Sequence, residues 1–484
     1  MSRRLALKRM AAAAGGMCLA GNGIAQSQEA KRPNVLFLFT DDQTFRSIGS
    51  LNNPAVKTPN IDRLVRNGVT FTHAFNQGSW TGAVCVASRA MLNTGRYIYH
   101  ARRDIGTNKE EASVPLWGET FGKAGYDTFM TGKWHNGDLA LQRSFKDVGP
   151  HGGGMFASTD TDGSAYRRPA PGNDWSPFDR TLKGHWREQE DGRIMHSSRE
   201  WANAAIDYLK KRGSNRSNPF FMYVAFHAPH DPRQSPRKFV DMYPLDSIEI
   251  PPNFLPEHPF DQGQRYTLRD EILAPFPRTE HAVKVHRQEY YAIISHADAQ
   301  IGRILNALER SGEADNTIIV FSADHGLAVG QHGLMGKQNQ YDHSIRMPLI
   351  FCGPGIEKGV QNDALVYLHS AYATTCNLAN IPVPETVEFP SLASLLFHKE
   401  ERLHDAIFGS YTDHQRMVRT EEYKLIRYPK VNEVQLFDLK KDPWETKNLA
   451  GDPGYSSVVR DLDQKLMELQ KQVGDEMELE PLAP

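Results

Sequence analysis

The feature that most constrains the fold of this 484-residue chain is a set of short, unbroken apolar runs: Val35 to Phe39, Tyr126 to Met130, Phe220 to Phe226 and Ile318 to Phe321. Each is rich in aromatic or β-branched residues and gives way to polar ones. A strand with one face in water alternates apolar with polar residues, so runs like these predict central strands buried on both faces. Helical patterns lie between them. In the clearest, Tyr291 to Arg310, residues Ile294, Ala297, Ile301, Ile304, Leu305 and Leu308 share one face at spacings of three and four. Strand and helix in alternation predict an α/β fold, a mostly parallel sheet sandwiched by helices. In such sheets ligands bind beyond the carboxyl ends of the strands.

Other segments fill in around this frame. From Asp138 to Arg193 periodicity is weak, which predicts a long loop insertion over the site. Its Asp160-Thr161-Asp162-Gly163 reads as a turn, because the remaining ligands of a calcium loop are missing. After roughly Pro390, runs at Tyr423 to Tyr428 and Val434 to Leu439 precede a helical pattern in which Val459, Leu462, Leu466 and Leu469 share a face. They predict a small antiparallel sheet with a terminal helix: a C-terminal α+β subdomain at 391–484, following a catalytic domain at 32–390. A second part is also expected from length, since single cores stop growing well below this size.

At the N-terminus Arg3-Arg4 precede an Ala/Gly-rich stretch too short to span a bilayer. This predicts a cleaved twin-arginine-type export signal over residues 1–25, no membrane span, and a mature protein in the periplasm or outside the cell. Cys18 would leave with that signal, and Cys85, Cys352 and Cys376 show no paired spacing, so a disulfide framework is not expected. A net charge of −2 gives no global basic field, and nucleic acid is not an expected partner.

The chemistry starts at Asp41-Asp42, directly after the first run. Alone, the pair reads as a solvated turn or a helix cap. Ser322-Ala323-Asp324-His325-Gly326 follows the last run, so both loops are expected on one rim of one sheet, where three carboxylates and an imidazole can converge. Oxygen-dominated ligation of this kind suits calcium or magnesium better than zinc.

Cys85-Val86-Ala87-Ser88-Arg89, continuing to Thr94-Gly95-Arg96, resembles the modification and active-site motif of the formylglycine-dependent sulfatases of the alkaline phosphatase superfamily. The resemblance continues in the family's order over nearly the whole mature chain. Arg32 to Gln43 is similar to the opening strand with its metal ligands, and Gly132-Lys133-Trp134-His135 to the lysine and histidine beside the nucleophile. Ala228-Pro229-His230-Asp231-Pro232 and Gly336-Lys337 resemble two further active-site loops, and Tyr423 to Ile426, Leu436 to Leu439 and Asp442 to Thr446 the C-terminal subdomain. Ala87 stands where the family most often has proline, and His325 where many members have asparagine.

This resemblance implies an alkaline-phosphatase-like fold and hydrolysis of a sulfate ester, with Cys85 oxidised by a formylglycine-generating maturation enzyme to an aldehyde whose hydrate is the nucleophile. It implies a calcium ion held by Asp41, Asp42, Asp324, His325 and the modified Cys85. Arg89, Lys133 and Lys337 would supply positive charge, His230 would act as general acid for the leaving oxygen, and His135 as the base that regenerates the aldehyde. Trp80, Arg103, His227 and Arg233 lie near these motifs and are candidates for binding the group that carries the sulfate, expected to be a sulfated carbohydrate. A phosphodiesterase or phosphonate hydrolase with the same nucleophile, and a non-catalytic sugar-binding relative, are the rival readings. The complete set of catalytic residue types argues against the latter.

Overall fold

A computed structural model describes residues 31–51, 53–105, 112–154, 166–169, 175–181, 184–212 and 217–482. The export-signal reading of 1–25 and the Asp160 to Gly163 turn lie outside the described residues. The elements below belong to the unit Arg32–Pro484.

The first apolar run becomes the strand Asn34–Thr40, buried along its whole length. It pairs in parallel with Phe220–Ala225 on one side and Thr317–Ala323 on the other. Beyond Phe220–Ala225 lie Asp127–Lys133 and then Asp147–Gly152, both parallel. On the other side come Arg346–Cys352 and Gly68–Phe75, the latter flanked by Val360–Asn362 and Val366–Tyr367. Among the described strands of this nine-stranded sheet, Arg346–Cys352 alone runs against the rest.

Successive residues of the central strands feed opposite cores. Phe37, Phe39, Phe221 and Tyr223 pack with Met91 and Leu92 of the helix Val84–Thr94 and with Trp117 and Phe121 of Trp117–Lys123. Leu36, Leu38, Met222 and Val224 pack with Trp201 and Ile206 of Ser197–Arg212 and with Ile301, Ile304 and Leu305 of Glu280–Ser311. Each such side chain contributes about 1.5–3 kcal/mol on burial, and this explains why the runs are continuous rather than alternating. Glu280–Ser311 begins well before the expected Tyr291, because Thr279 caps it by accepting a hydrogen bond from the Ala282 N–H, and it ends at Gly312 with φ 72°.

Two expectations need correction. The segment from Asp138 to Arg193 is not simply a loop: it contains the helix Asp138–Ser144, the sheet strand Asp147–Gly152 and Trp186–Glu188, which pairs with Ile194–His196. The strand Asp147–Gly152 sits at the sheet edge with half-exposed to exposed side chains, so no apolar run announces it. The second sheet is also larger than two strands. Ile407–Tyr411, Gln415–Arg419, Tyr423–Tyr428 and Glu433–Asp438 form antiparallel hairpins, and Gly78–Ser79 joins the edge parallel to Ile407–Tyr411. Gly78 has φ 93°, and a Cβ there would lie 1.8 Å from the Ser410 carbonyl oxygen, so only glycine permits this pairing. The helix Ser456–Val473 buries Leu462 and Leu466, with Val459 and Leu469 packed beside them.

Candidate active site

Four neighbouring parallel strands end on one rim, and each delivers side chains there. Asp41 and Asp42 follow Asn34–Thr40, Asp324 and His325 follow Thr317–Ala323, and His227 and His230 follow Phe220–Ala225. Lys133 ends Asp127–Lys133, with His135 just beyond. At Gly132 (φ 99°) a Cβ would meet the Ala225 carbonyl oxygen at 1.8 Å, so the close approach of these two strands requires glycine. The helix Val84–Thr94 brings Cys85, Ser88 and Arg89 to the same place, since residues three and four apart share a helix face.

Arg89 is fully buried and ties the rim together. Its Nη2 donates to Asp41 Oδ2 at 2.7 Å, its Nε to Asp324 Oδ2 at 3.1 Å and its Nη1 to the Lys133 carbonyl at 2.9 Å. Lys133 Nζ stands 2.7 Å from Asp41 Oδ2, and Lys337 Nζ lies 2.9 and 3.1 Å from the two Asp42 oxygens. His325 Nε2 is 3.2 Å from Asp42 Oδ1, and Cys85 Sγ is 3.3 Å from His135 Nδ1. Asp42 (φ 63°) and His135 (φ 71°) hold left-handed backbone conformations unusual for non-glycine residues, a strain that concentrates at functional sites.

These contacts set the ionisation of the groups. Burial pushes the Asp42 carboxyl well above the usual range, and Lys337 only partly opposes it. Against the opposing effect of burial, Lys133 and Arg89 hold Asp41 well below that range. Cys85 is likewise lowered despite its burial, chiefly by Lys133. Burial, reinforced by Lys337, holds His230 well below its ordinary value, so its imidazole is neutral.

Among the described residues, two clusters have the composition of a cation site: Asp41, Cys85, Asp324 and His325, and Asp41, Asp42 and His230, each with its ligand atoms within 4.8 Å of one another. Asp41 Oδ1 is buried without a hydrogen-bond partner. An orphaned carboxylate oxygen among further buried carboxylates fits a hard divalent cation.

Among the supporting residues, Asn76, Tyr290 and Arg269 carry no local sequence signal, whereas Ser88 and Asp231 lie inside the motifs. Ser88 Oγ and Asn76 Nδ2 each donate to the Asp324 carbonyl at 2.7 Å, and the Tyr290 hydroxyl donates to the Asp42 carbonyl at 2.6 Å. His230 Nδ1 donates to the Asp231 carbonyl at 2.7 Å and lies 3.2 Å from Asp231 Oδ1. The Asp231 carboxylate also pairs with both terminal nitrogens of Arg269, at 2.5 and 3.0 Å. Of the four candidates for binding the rest of the substrate, Trp80 and Arg103 line a cleft of about 690 Å³ with Tyr99 and Arg416. His227 is buried with Nε2 3.2 Å from the Gly153 carbonyl, and Arg233 is fully buried with Nη1 2.9 Å from His286 Nδ1.

The chain resembles known proteins along most of its length. The family model described as Sulfatase matches residues 33–381, and that described as N-sulphoglucosamine sulphohydrolase, C-terminal, matches 330–472. An arylsulfatase of Clostridium perfringens is 28% identical, covering 88% of this chain and 92% of its own. A sulfatase of Formosa agariphila is 30% identical, covering 90% and 86%. A solved structure of a protein in complex with its substrate D-glucosamine-2-N,6-O-disulfate superposes with a TM-score of 0.72 at 23% identity, covering 92% of this chain and 99% of that one. With an alkaline-phosphatase-like sheet, a rim of buried acids, bases and one cysteine, and a family match over well more than half its length, the chain belongs to the sulfatase family and is a sulfuric ester hydrolase.

Proposed function

We propose that the protein removes sulfate from a sulfated carbohydrate, with Cys85 matured to formylglycine and a calcium ion held by Asp41, Asp42, Asp324 and His325. The observation that carries this reading is the placement of Cys85 in the first turn of its helix, 3.3 Å from His135 and beside the Arg89, Asp41 and Asp324 cluster. A bound calcium ion would draw in a sulfate oxygen and favour ionisation of a coordinated hydroxyl.

The chain's own residues account for the remaining work. Arg89 and Lys133 keep Asp41 ionised, which preserves a ligand inside a water-poor rim. Lys337, held by Asp42, is a fixed positive charge toward which a sulfate oxygen can turn without reorganisation. His135, 3.3 Å from Cys85 Sγ, is placed to move a proton at position 85. His230 presents Nε2 toward Asp42 at 4.0 Å, with Nδ1 engaged by Asp231. The negative charge of a bound sulfate favours protonation of His230, which then acts as general acid for the departing sugar oxygen.

A carbohydrate substrate is supported by the structural relative bound to a glucosamine disulfate. We further assign residues 1–25 to an export signal, 32–390 to the catalytic domain and 391–484 to a C-terminal subdomain whose sheet takes Gly78–Ser79 as its edge. Mass spectrometry of the peptide from Gly82 to Arg89 tests the maturation of Cys85: full activity with unmodified cysteine alone sinks the proposal. Release of inorganic sulfate across a panel of sulfated sugars tests the substrate class.

A further inference from the structure

The hairpin formed by Trp186–Glu188 and Ile194–His196 faces two ways. Toward the catalytic rim it braces the His230 loop: His185 Nε2 donates to the His230 carbonyl at 3.0 Å and His196 Nε2 to the Gln234 carbonyl at 2.9 Å. The His185 ring stacks on His196 at 5.0 Å, and His196 meets His296 edge-on at 4.3 Å. His196 and His296 in turn line a groove of about 1210 Å³ bounded by this hairpin and by the helices Ser197–Arg212, Arg237–Val240 and Glu280–Ser311.

Among the described residues, this groove is lined by cations and no carboxylate. Arg180, Arg193, Arg199, Arg237, Lys238 and Arg303 contribute to its wall. Arg193 is neutralised by Asp191 at 2.6 Å, but among the described residues the other five make no ion pair. Two acids of the adjoining helix are paired with other cations, Glu200 with Arg187 at 2.8 Å and Asp207 with Lys210 at 3.2 Å. Arg303 donates instead to neutral oxygens, Gln300 Oε1 at 2.8 Å and Asn203 Oδ1 at 2.7 Å. Aromatic rings support two more: the Arg237 guanidinium sits 4.0 Å from the centre of Phe178, and that of Arg180 5.3 Å from Trp186. At the groove wall His296 is 3% exposed, and its Nδ1 has no hydrogen-bond partner. Burial, then the neighbouring His185, Lys238, Arg199 and Arg303, press His296 down to about 3.

We propose that this groove is a second binding site, separate from the catalytic rim, that holds an anionic stretch of a sulfated polysaccharide. The proposal rests on the reading of the protein as a carbohydrate sulfatase and says where the rest of a polymeric substrate is held. Its capacity exceeds the roughly 300–1,000 Å³ of ordinary small-molecule sites, which favours an extended ligand. Paired aromatic and guanidinium groups suit a chain with both sugar faces and sulfate groups. A chain that is net −2 overall gathers these cations in one place, so the attraction is local rather than a property of the whole surface.

The test is a double charge reversal, Arg237→Glu with Arg303→Glu, set against a control reversal of equal charge, Lys210→Glu with Arg310→Glu, at residues outside the groove. Binding of dextran sulfate is measured by titration calorimetry at several salt concentrations. The groove variant should weaken binding by at least about tenfold and lower the slope of log K against log salt by about two, roughly one per lost contact. The control should change either quantity far less. Hydrolysis of a small aryl sulfate by the groove variant, at the parent rate, shows that its catalytic rim is intact. Unchanged dextran sulfate binding, or an equal loss in the control, overturns the proposal. Failure of the sulfatase reading itself would show separately, as absence of sulfate release by the parent protein.

Discussion

Replacing Arg89 by methionine removes the one guanidinium that joins Asp41, Asp324 and the Lys133 carbonyl while keeping comparable bulk. The consequences for the two carboxylates differ. Asp41 keeps Lys133 Nζ at 2.7 Å, so its charge stays compensated. Asp324 retains two backbone N–H donors, from Asp42 at 3.1 Å and His325 at 2.9 Å, but loses its arginine at 3.1 Å. Removing one partner from a buried ion pair costs about 3–5 kcal/mol, and these surviving donors place the expected loss near the lower end. Arg89→Lys keeps the charge but reaches fewer of the three acceptors, so it should lose about 1.5–3 kcal/mol for a charged hydrogen bond forgone. Urea unfolding in calcium-free buffer at neutral pH measures both. Added calcium should recover more stability in Arg89→Met than in the parent, because a bound cation supplies the positive charge the variant lacks. A methionine variant within about 1 kcal/mol of the parent without metal would refute the view that Arg89 compensates these acids.

Four further outcomes are expected. His230→Ala should slow release of sulfate from a sugar by about 10²–10⁴-fold but cost much less on an activated aryl sulfate, whose leaving group needs no proton; equal losses in kcat/KM reject the general-acid role. Thorough chelation should abolish turnover, with calcium restoring it, and Asp324→Ala should fold yet remain inactive; an unchanged rate after chelation removes the metal assignment. His369 has both ring nitrogens buried without partners, and burial alone depresses it to about 3. A depressed histidine binds its proton in the unfolded chain first, so its stabilising effect is complete above about pH 6.5 and is lost as pH falls toward 3; His369→Phe, facing Phe389 at 4.8 Å, should flatten that loss by about 1.4 kcal/mol per pH unit, and an unaltered slope in unfolding titrations counts against it.

The sequence makes the central strands legible because burial on both faces leaves no room for polar residues. Gly68–Phe75 escapes that logic: Thr70, Thr72 and His73 interrupt its apolar pattern, although it is almost wholly buried. Arg346–Cys352 contains Pro348, a residue that argues against a strand, yet Ser322 Oγ donates to the Pro348 carbonyl at 2.8 Å and the register shifts there to accommodate it. Residues at the candidate site that sit at strand ends or on one helix face can be read from spacing. Arg269 and Tyr290 cannot, because they reach Asp231 and Asp42 from segments far along the chain, and nothing local distinguishes them from ordinary surface or core residues.

The two-residue edge strand Gly78–Ser79 sets a timetable for biosynthesis. Its partner, Ser410 and Tyr411, leaves the ribosome roughly 330 residues later. At about 5–20 residues per second, the turn just ahead of Cys85 stays unfastened for a time on the order of tens of seconds. The maturation proposed for Cys85, only 3% exposed in the finished fold, would fall in that interval. Closing the second sheet would end access to Cys85, so chain order would set both the opportunity and the deadline for the proposed modification.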